Sequence, residues 1–332
     1  MVRGVETVCV LILSISFFAG ASVHADIGEA RELIAKKKWQ EAVIALRSEV
    51  AHDPHAIEVQ VDLARSLIYL GRREEALNVL EGAIRREKGS KKAWLIQQSQ
   101  VFSRIFVTNG TFQLYQDGLN LLQIQKYRQA REKFEKALLA EGSNVEILTR
   151  LGQAYLLDGD HDSAAEQLKL ARRLNPYEPE IRLWLGRAMH LRGELAEALT
   201  ELRSSKSELS QSEIAPIWVA DALEASGQKN LALQTLQEDL RTNPMHVMSL
   251  VNEAKLKVQL AEHNSEMLWS ARQDFQNALS RVSDYLNKNR SLSEGELGLE
   301  YPVEPKDFRD EIQSSLQKVQ SKLDEIEGAS KG

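Results

Sequence analysis

Apolar and small residues recur along this chain with helical spacing, broken at regular intervals by a polar turn. The clearest instance is residues 145–178, VEILTRLGQAYLLDGDHDSAAEQLKLARRLNPYE. Leu151, Gly152 and Tyr155 share one helical face, Gly159 sits in a turn, Ala164, Leu168 and Ala171 share a second face, and Pro176 closes the segment. This predicts two amphipathic helices around a tight turn. The plan repeats: Ala130, Ala164, Ala198 and Ala232 are each 34 residues apart, and Gly71, Gly159, Gly193 and Gly227 hold one place in the turn. There the first helix is expected to end on a left-handed residue, which glycine adopts without steric penalty.

Numbered 1 to 34 from Val145, the segment has Leu151, Gly152 and Tyr155 at positions 7, 8 and 11 and Gly159 at 15. Ala164, Leu168, Ala171 and Pro176 follow at 20, 24, 27 and 32. In these residues the chain resembles the tetratricopeptide repeat family. The resemblance implies an all-α fold, a helix-turn-helix solenoid wound as a right-handed superhelix. Small residues at positions 8 and 20 would let the two helices of a unit approach, and larger ones at 24 and 28 would fill the gap to the next pair. No unit buries its apolar face alone, so stability would lie mainly in the stacking.

Two units are expected in residues 26–90, with Ala42 and Ala76 at position 20 and a short first helix, Ile27 to Lys36. The phase then slips. Residues 91–110, KKAWLIQQSQVFSRIFVTNG, are inserted, and their Trp94, Val101 and Ile105 predict a helical face ending in a turn at Thr108, Asn109 and Gly110. Asn-Gly is also a hairpin signal, but two strands here would have no sheet to join, so a spare helix with a capping loop is the better reading. The insertion separates a short N-terminal block from a longer one, and a hinge is expected there. Asn109-Gly110-Thr111 also matches an N-glycosylation acceptor.

Residues 111–288 carry four regular units and a degenerate fifth, in which Ala271 and Phe275 take positions 20 and 24 if its first helix is about five residues longer. A linker is expected over 289–306, followed by an extra helix over 307–327. There Phe308, Ile312, Leu316, Val319, Leu323 and Ile326 form a seam of coiled-coil type.

The N-terminal 25 residues differ in kind. Arg3 precedes the apolar run VCVLILSISFFAG, and small residues lead to Ala25, a secretory signal with cleavage expected before Asp26. An uncleaved anchor is the alternative, although the run is short for a span, which needs ~20 residues. The single cysteine, Cys9, lies within this segment, so the mature chain would have no thiol for a disulfide, thiol catalysis or a metal.

A net charge of −6 gives no electrostatic basis for nucleic-acid binding. Asp158, Asp160 and Asp162 have the alternation of a calcium loop, but the closing glutamate is replaced by Lys169. His52 and His55 lack a third nearby ligand for zinc. No nucleophile–base pair or glycine-rich phosphate loop is present, so no catalytic residue, cofactor or metal is expected.

The resemblance implies a protein or peptide partner held in a concave groove lined by first-helix positions that include 5, 9, 12 and 13. Carried over, the candidate groove residues are Val61, Arg65 and Tyr69, then Gln153 and Leu157, Leu183 and Arg187, Ile217 and Asp221, and Val251 and Lys255. Arg65 and Arg187 would orient the ligand. The lysine and asparagine clamp of chaperone-tail adaptors is absent at positions 5 and 9. The expected function is therefore a non-enzymatic scaffold of the bacterial cell envelope, periplasmic or secreted. The alternatives are a self-associating protein that pairs through 307–327 and an inner-membrane-anchored assembly factor. The same helix could instead fold back on its own array as a cap or autoinhibitor.

Overall fold

The computed structural model describes residues 27–287 and 305–330, apart from 210, 211, 213 and 245. The expected signal segment and nearly all of the expected linker lie outside the described residues. Sixteen helices and no strand occur among the described residues. Six of the seven units are α1 (Ile27–Ala35) with α2 (Trp39–His52), α3 (Ile57–Tyr69) with α4 (Arg73–Arg86), α6 (Asn109–Gln123) with α7 (Tyr127–Ala140), α8 (Val145–Leu157) with α9 (His161–Leu174), α10 (Pro179–Leu191) with α11 (Leu195–Glu208), and α12 (Ile214–Ala225) with α13 (Lys229–Thr242). The last unit is α14 (Val247–Leu260) with α15 (Ser265–Asn287), while α5 (Gly89–Arg104) and α16 (Pro305–Ser330) stand alone.

The periodic small residues are where the helices cross. Ala42, Ala76, Ala130, Ala164, Ala198, Ala232 and Ala271, all at position 20, are each 0% exposed. Position 8 faces position 24 of the same unit: a Cβ placed on Gly152 would lie 2.5 Å from Cγ of Leu168, and one on Gly186 2.6 Å from Cγ of Leu202. Side chains larger than alanine at such crossings would overpack the core, at a cost of ~1–3 kcal/mol. The turns share one backbone state. Position 15 has positive φ at Gly71, Gly159, Gly193 and Gly227, and also at Lys37 and Gln125, so the turn imposes the conformation even where glycine is absent.

The array comprises two stacks, each closed by a lone helix. The first contains α1 to α5, in which α5 packs on α3 and α4. Its buried stripe is Leu95, Ser99, Phe102 and Ser103, whereas Trp94 and Val101 are exposed; the face expected from Trp94, Val101 and Ile105 is rotated by one residue. The expected turn at 108–110 is instead the start of α6, where the Thr108 side chain accepts from the Thr111 amide at 3.2 Å. Asn-Gly thus lies in a helical first turn.

The second stack runs from α6 to α16. In its last unit α14 is only one residue longer than α8, and the additional residues lengthen the turn and, chiefly, the start of α15. At positions 7 and 11 this unit buries a Glu253 and Lys257 pair 2.8 Å apart, and Asp274 lies 2.6 Å from the lysine. Helix α16 packs on α15. Its Phe308, Ile312, Val319 and Leu323 are buried with Val251, Phe275 and Val282. The apolar seam is thus covered within the chain, and pairing of two copies through it would require α16 to leave α15.

The stacks meet through a buried polar junction rather than by end-to-end stacking. Arg73 of α4 donates to the carbonyls of Phe102 (2.8 Å) and Ile105 (2.7 Å) and pairs with Glu141 at 3.1 Å. Glu141 in turn accepts from the amides of Val107 and Thr108, both at 2.8 Å. Burial lowers the Arg73 guanidinium to about 10 despite the carboxylate beside it. Further along the seam, Gln100 donates to the carbonyl of Tyr177 (3.1 Å), and the Tyr177 hydroxyl donates to Glu81 (2.8 Å). Arg104 reaches Glu178 at 2.8 Å.

Candidate functional site

Equivalent positions on α8, α10, α12 and α14 bring Gln153, Arg187, Asp221 and Lys255 into register, all of them partly exposed. Arg187 pairs with Asp221 at 3.3 Å, and Lys255 pairs with Glu311 of α16 at 2.9 Å. Burial raises the Asp221 carboxyl, and Arg187 pulls the other way. The charges alternate along the row, so each cation has a carboxylate beside it before any ligand arrives. Sequence reasoning did not foresee that pairing, nor that Glu311 of the closing helix would end the row.

Position 6 adds side chains that were also missed: Arg150, Trp184 and Trp218, themselves 34 residues apart. Arg150 donates to Glu180 at 2.7 Å and to Gln153 at 3.2 Å. Trp184 and Trp218 make an edge-to-face pair with centroids 5.1 Å apart, and the Arg187 guanidinium lies 5.4 Å from the Trp218 ring centre. His190 Nδ1 is 3.1 Å from Arg187, and burial together with that cation holds the imidazole down to about 4. Leu157 and Leu191, both half-buried, occupy position 13 of neighbouring units.

A sequence model described as tetratricopeptide repeat matches residues 115–179, and a second with the same description matches 33–98 and 156–215. The chain belongs to the tetratricopeptide repeat family. No curated protein matches it. Among solved structures it is similar to a thermophilic tetratricopeptide repeat protein of Thermus thermophilus (18% identity, 62% of this chain and 99% of that one covered, TM-score 0.49). It is also similar to a tetratricopeptide repeat protein from Parabacteroides merdae (16%, 90% and 100%, 0.44) and to MamA (20%, 51% and 96%, 0.43). Tetratricopeptide repeats are in general non-enzymatic interaction modules, so the fold is that of a protein–protein interaction scaffold.

Within this tetratricopeptide array the candidate groove residues fall into two classes. Position 5 is packing: Val61, Leu183, Ile217 and Val251 are 3%, 5%, 3% and 1% exposed and present almost no surface to a ligand. Position 9 and Leu157 do present surface. The three candidates of the first stack lie apart on α3. Arg65 pairs with Asp62 at 3.3 Å and covers the Phe102 ring of α5, while Tyr69 stacks on Trp39 with centroids 4.5 Å apart.

The aspartates of the α8–α9 turn have structural partners. Asp158 accepts from Arg131, Asp160 caps α9 by accepting from the Ser163 amide at 3.1 Å, and Asp162 pairs with Arg192 at 3.0 Å. No group of three potential metal ligands occurs among the described residues. None of the described helices is long and apolar enough to cross a membrane.

Proposed function

We propose that the chain is a scaffold of the bacterial cell envelope that holds a peptide or helix of a partner protein along the inner face of its second stack. The observation that carries this reading is the register of half-exposed side chains on four successive first helices. Leu157 and Leu191 offer apolar contact beside the paired charges of Arg187, Asp221 and Lys255. A ligand lying along such a row gains from side-chain pockets and exchanges ion pairs rather than creating new ones. The envelope location is supported by the N-terminal apolar run behind Arg3.

The test is crosslinked capture from cells expressing the chain, compared with a Leu157→Glu, Leu191→Glu variant and with a Trp94→Glu control on α5. Partners lost only from the paired leucine variant support the groove, and equal recovery from all three overturns it. Sequencing the N-terminus of the chain recovered from cells separates export, which would leave Asp26 first, from an anchored form that keeps Met1.

A further inference from the structure

The boundary between α13 and α14 is made of other residue types than its sister boundaries. Positions 3, 7 and 11 of a first helix are packing positions: Ile147, Leu151 and Tyr155 on α8, and Ile181, Leu185 and Met189 on α10. On α14 they are Ser249, Glu253 and Lys257, which are nonetheless 0%, 6% and 9% exposed. Position 27 of the preceding second helix is Ala137 or Ala171 at those sister boundaries, and on α13 it is Asp239.

The polar groups meet across the boundary. Ser249 of α14 donates to Oδ2 of Asp239 at 2.6 Å, and Nδ1 of His246, the residue before α14, lies 2.7 Å from the same oxygen. Gln237 of α13 donates to Glu253 at 3.2 Å. Nε2 of the buried His246 has no hydrogen-bond partner among the described residues, which makes the closed packing costly at this point. The core of the last unit, by contrast, is self-contained. Val251, Phe275, Val282 and Ile312 cluster with one another on α14, α15 and α16, and Lys257 turns inward to Asp274 of α15. Leu256 and Met248 of α14 and Leu240 of α13 are apolar links across the boundary.

In a repeat array the total stability is close to a sum over neighbouring interfaces, so the array parts where an interface contributes least. Buried polar pairs stabilise less than well-packed apolar side chains of similar volume, and on opening they regain water. We infer that the second stack opens at the α13–α14 boundary, releasing α14, α15 and α16 together while α6 to α13 stay stacked. Opening takes Lys255 and Glu311 out of the position-9 row and leaves Asp221 as its last member. The fold thus carries a switch between a longer and a shorter row, and this does not depend on the row holding a ligand.

The test is native-state hydrogen exchange of the full-length chain, followed by mass spectrometry. Buried amides of α14, α15 and α16 are expected to exchange together, about tenfold or more faster than those of α8 to α11. The triple variant Asp239→Ala, His246→Asn, Ser249→Ala takes the residues that sister units carry at these positions, Ala137, Asn144 and Ala215. It should slow the exchange of all three helices by about fivefold or more. Exchange of α16 well ahead of α14 and α15, exchange of the three no faster than α8 to α11, or an unchanged rate in the folded triple variant would each overturn the inference. If that variant loses helicity by circular dichroism, thiol labelling decides the question. Ser249 and Ser205 are both 0% exposed. In a Cys9→Ser background, Ser249→Cys should react with a disulfide reagent about tenfold or more faster than Ser205→Cys, and equal rates would overturn the inference.

Discussion

Helices α6 and α8 are both first helices of their units, yet they meet the preceding residues in different ways. On α8, positions 3, 7 and 10 are Ile147, Leu151 and Ala154, all buried. On α6 the same positions are Gln113, Asp117 and Asn120, and none of them is buried. Gln113 donates to Asp117 at 3.1 Å, and Lys133 of α7 pairs with that aspartate at 2.8 Å. Those three positions face the preceding unit within a stack, and their polarity marks where a stack begins. The difference explains why the insertion produces two stacks rather than one with a bulge. Helix α5 closes the first block, α6 presents a wettable end, and the blocks meet elsewhere, through Arg73 and Glu141.

The largest expected effect tests that junction. Arg73→Met leaves the Glu141 carboxylate buried without its cation and removes the donor from three carbonyls, those of Phe102, Ser103 and Ile105, a loss of ~3–5 kcal/mol. Denaturant unfolding of the variant should then run in two steps, the first stack melting ahead of the second, where the parent is expected to melt in one. An unchanged transition would show that the stacks are coupled through other contacts.

A smaller effect separates the first unit of the second stack from the next. A Cβ on Gly118 would lie 2.5 Å from Cε1 of Phe134, a ring that cannot flex away. At Gly152 the neighbour is Leu168, and the leucines at this crossing already tolerate alanine in other units, Ala64 over Leu80 and Ala220 over Leu236. Gly118→Ala should therefore cost ~1–3 kcal/mol. Gly152→Ala should be close to neutral, because the better helix propensity of alanine, worth ~1 kcal/mol, offsets the crowding. Paired denaturant titrations check the difference, and equal costs would mean that ring and leucine yield alike.

The smallest effect concerns position 12, which is the buried Ile68 in the first stack and the half-buried His190 in the second. Because His190 is held down to about 4, the unfolded chain takes up a proton between the ordinary value of 6.5 and about 4 while the folded chain does not. Stability should fall as pH drops through that window and level off below it, by about 1 kcal/mol once solvent screening of the half-buried ring is allowed for. His190→Ile, which restores the residue type of the first stack, should remove that portion of the pH dependence. Identical pH profiles for parent and variant would contradict the assignment.

Much of this was legible in the chain itself. The recurrence of Ala130, Ala164, Ala198 and Ala232 specifies close helix crossings, because only a small side chain allows them. The 20-residue slip located the inserted helix but not its buried face, since Leu95 and Phe102 are covered by neighbours that no local pattern reveals. The start of the second stack was in fact written at Gln113, Asp117 and Asn120, polar residues at stacking positions. Arg73 and Glu141 are 68 residues apart and carry no shared motif, so their pairing is visible only in three dimensions. Among the candidate groove residues, the spacing alone did not separate position 5, which is buried packing, from position 9, which is accessible.

Because each stack carries its own closing helix, the number of modules between those lids is an adjustable quantity. The junction draws on loops no further along the chain than residue 178, and α16 rests on the final pair. The pairs α10–α11 and α12–α13 therefore form an interior section that could be duplicated or excised whole. The row of position-9 side chains would lengthen or shorten by one rung at a time, while both ends stay sealed.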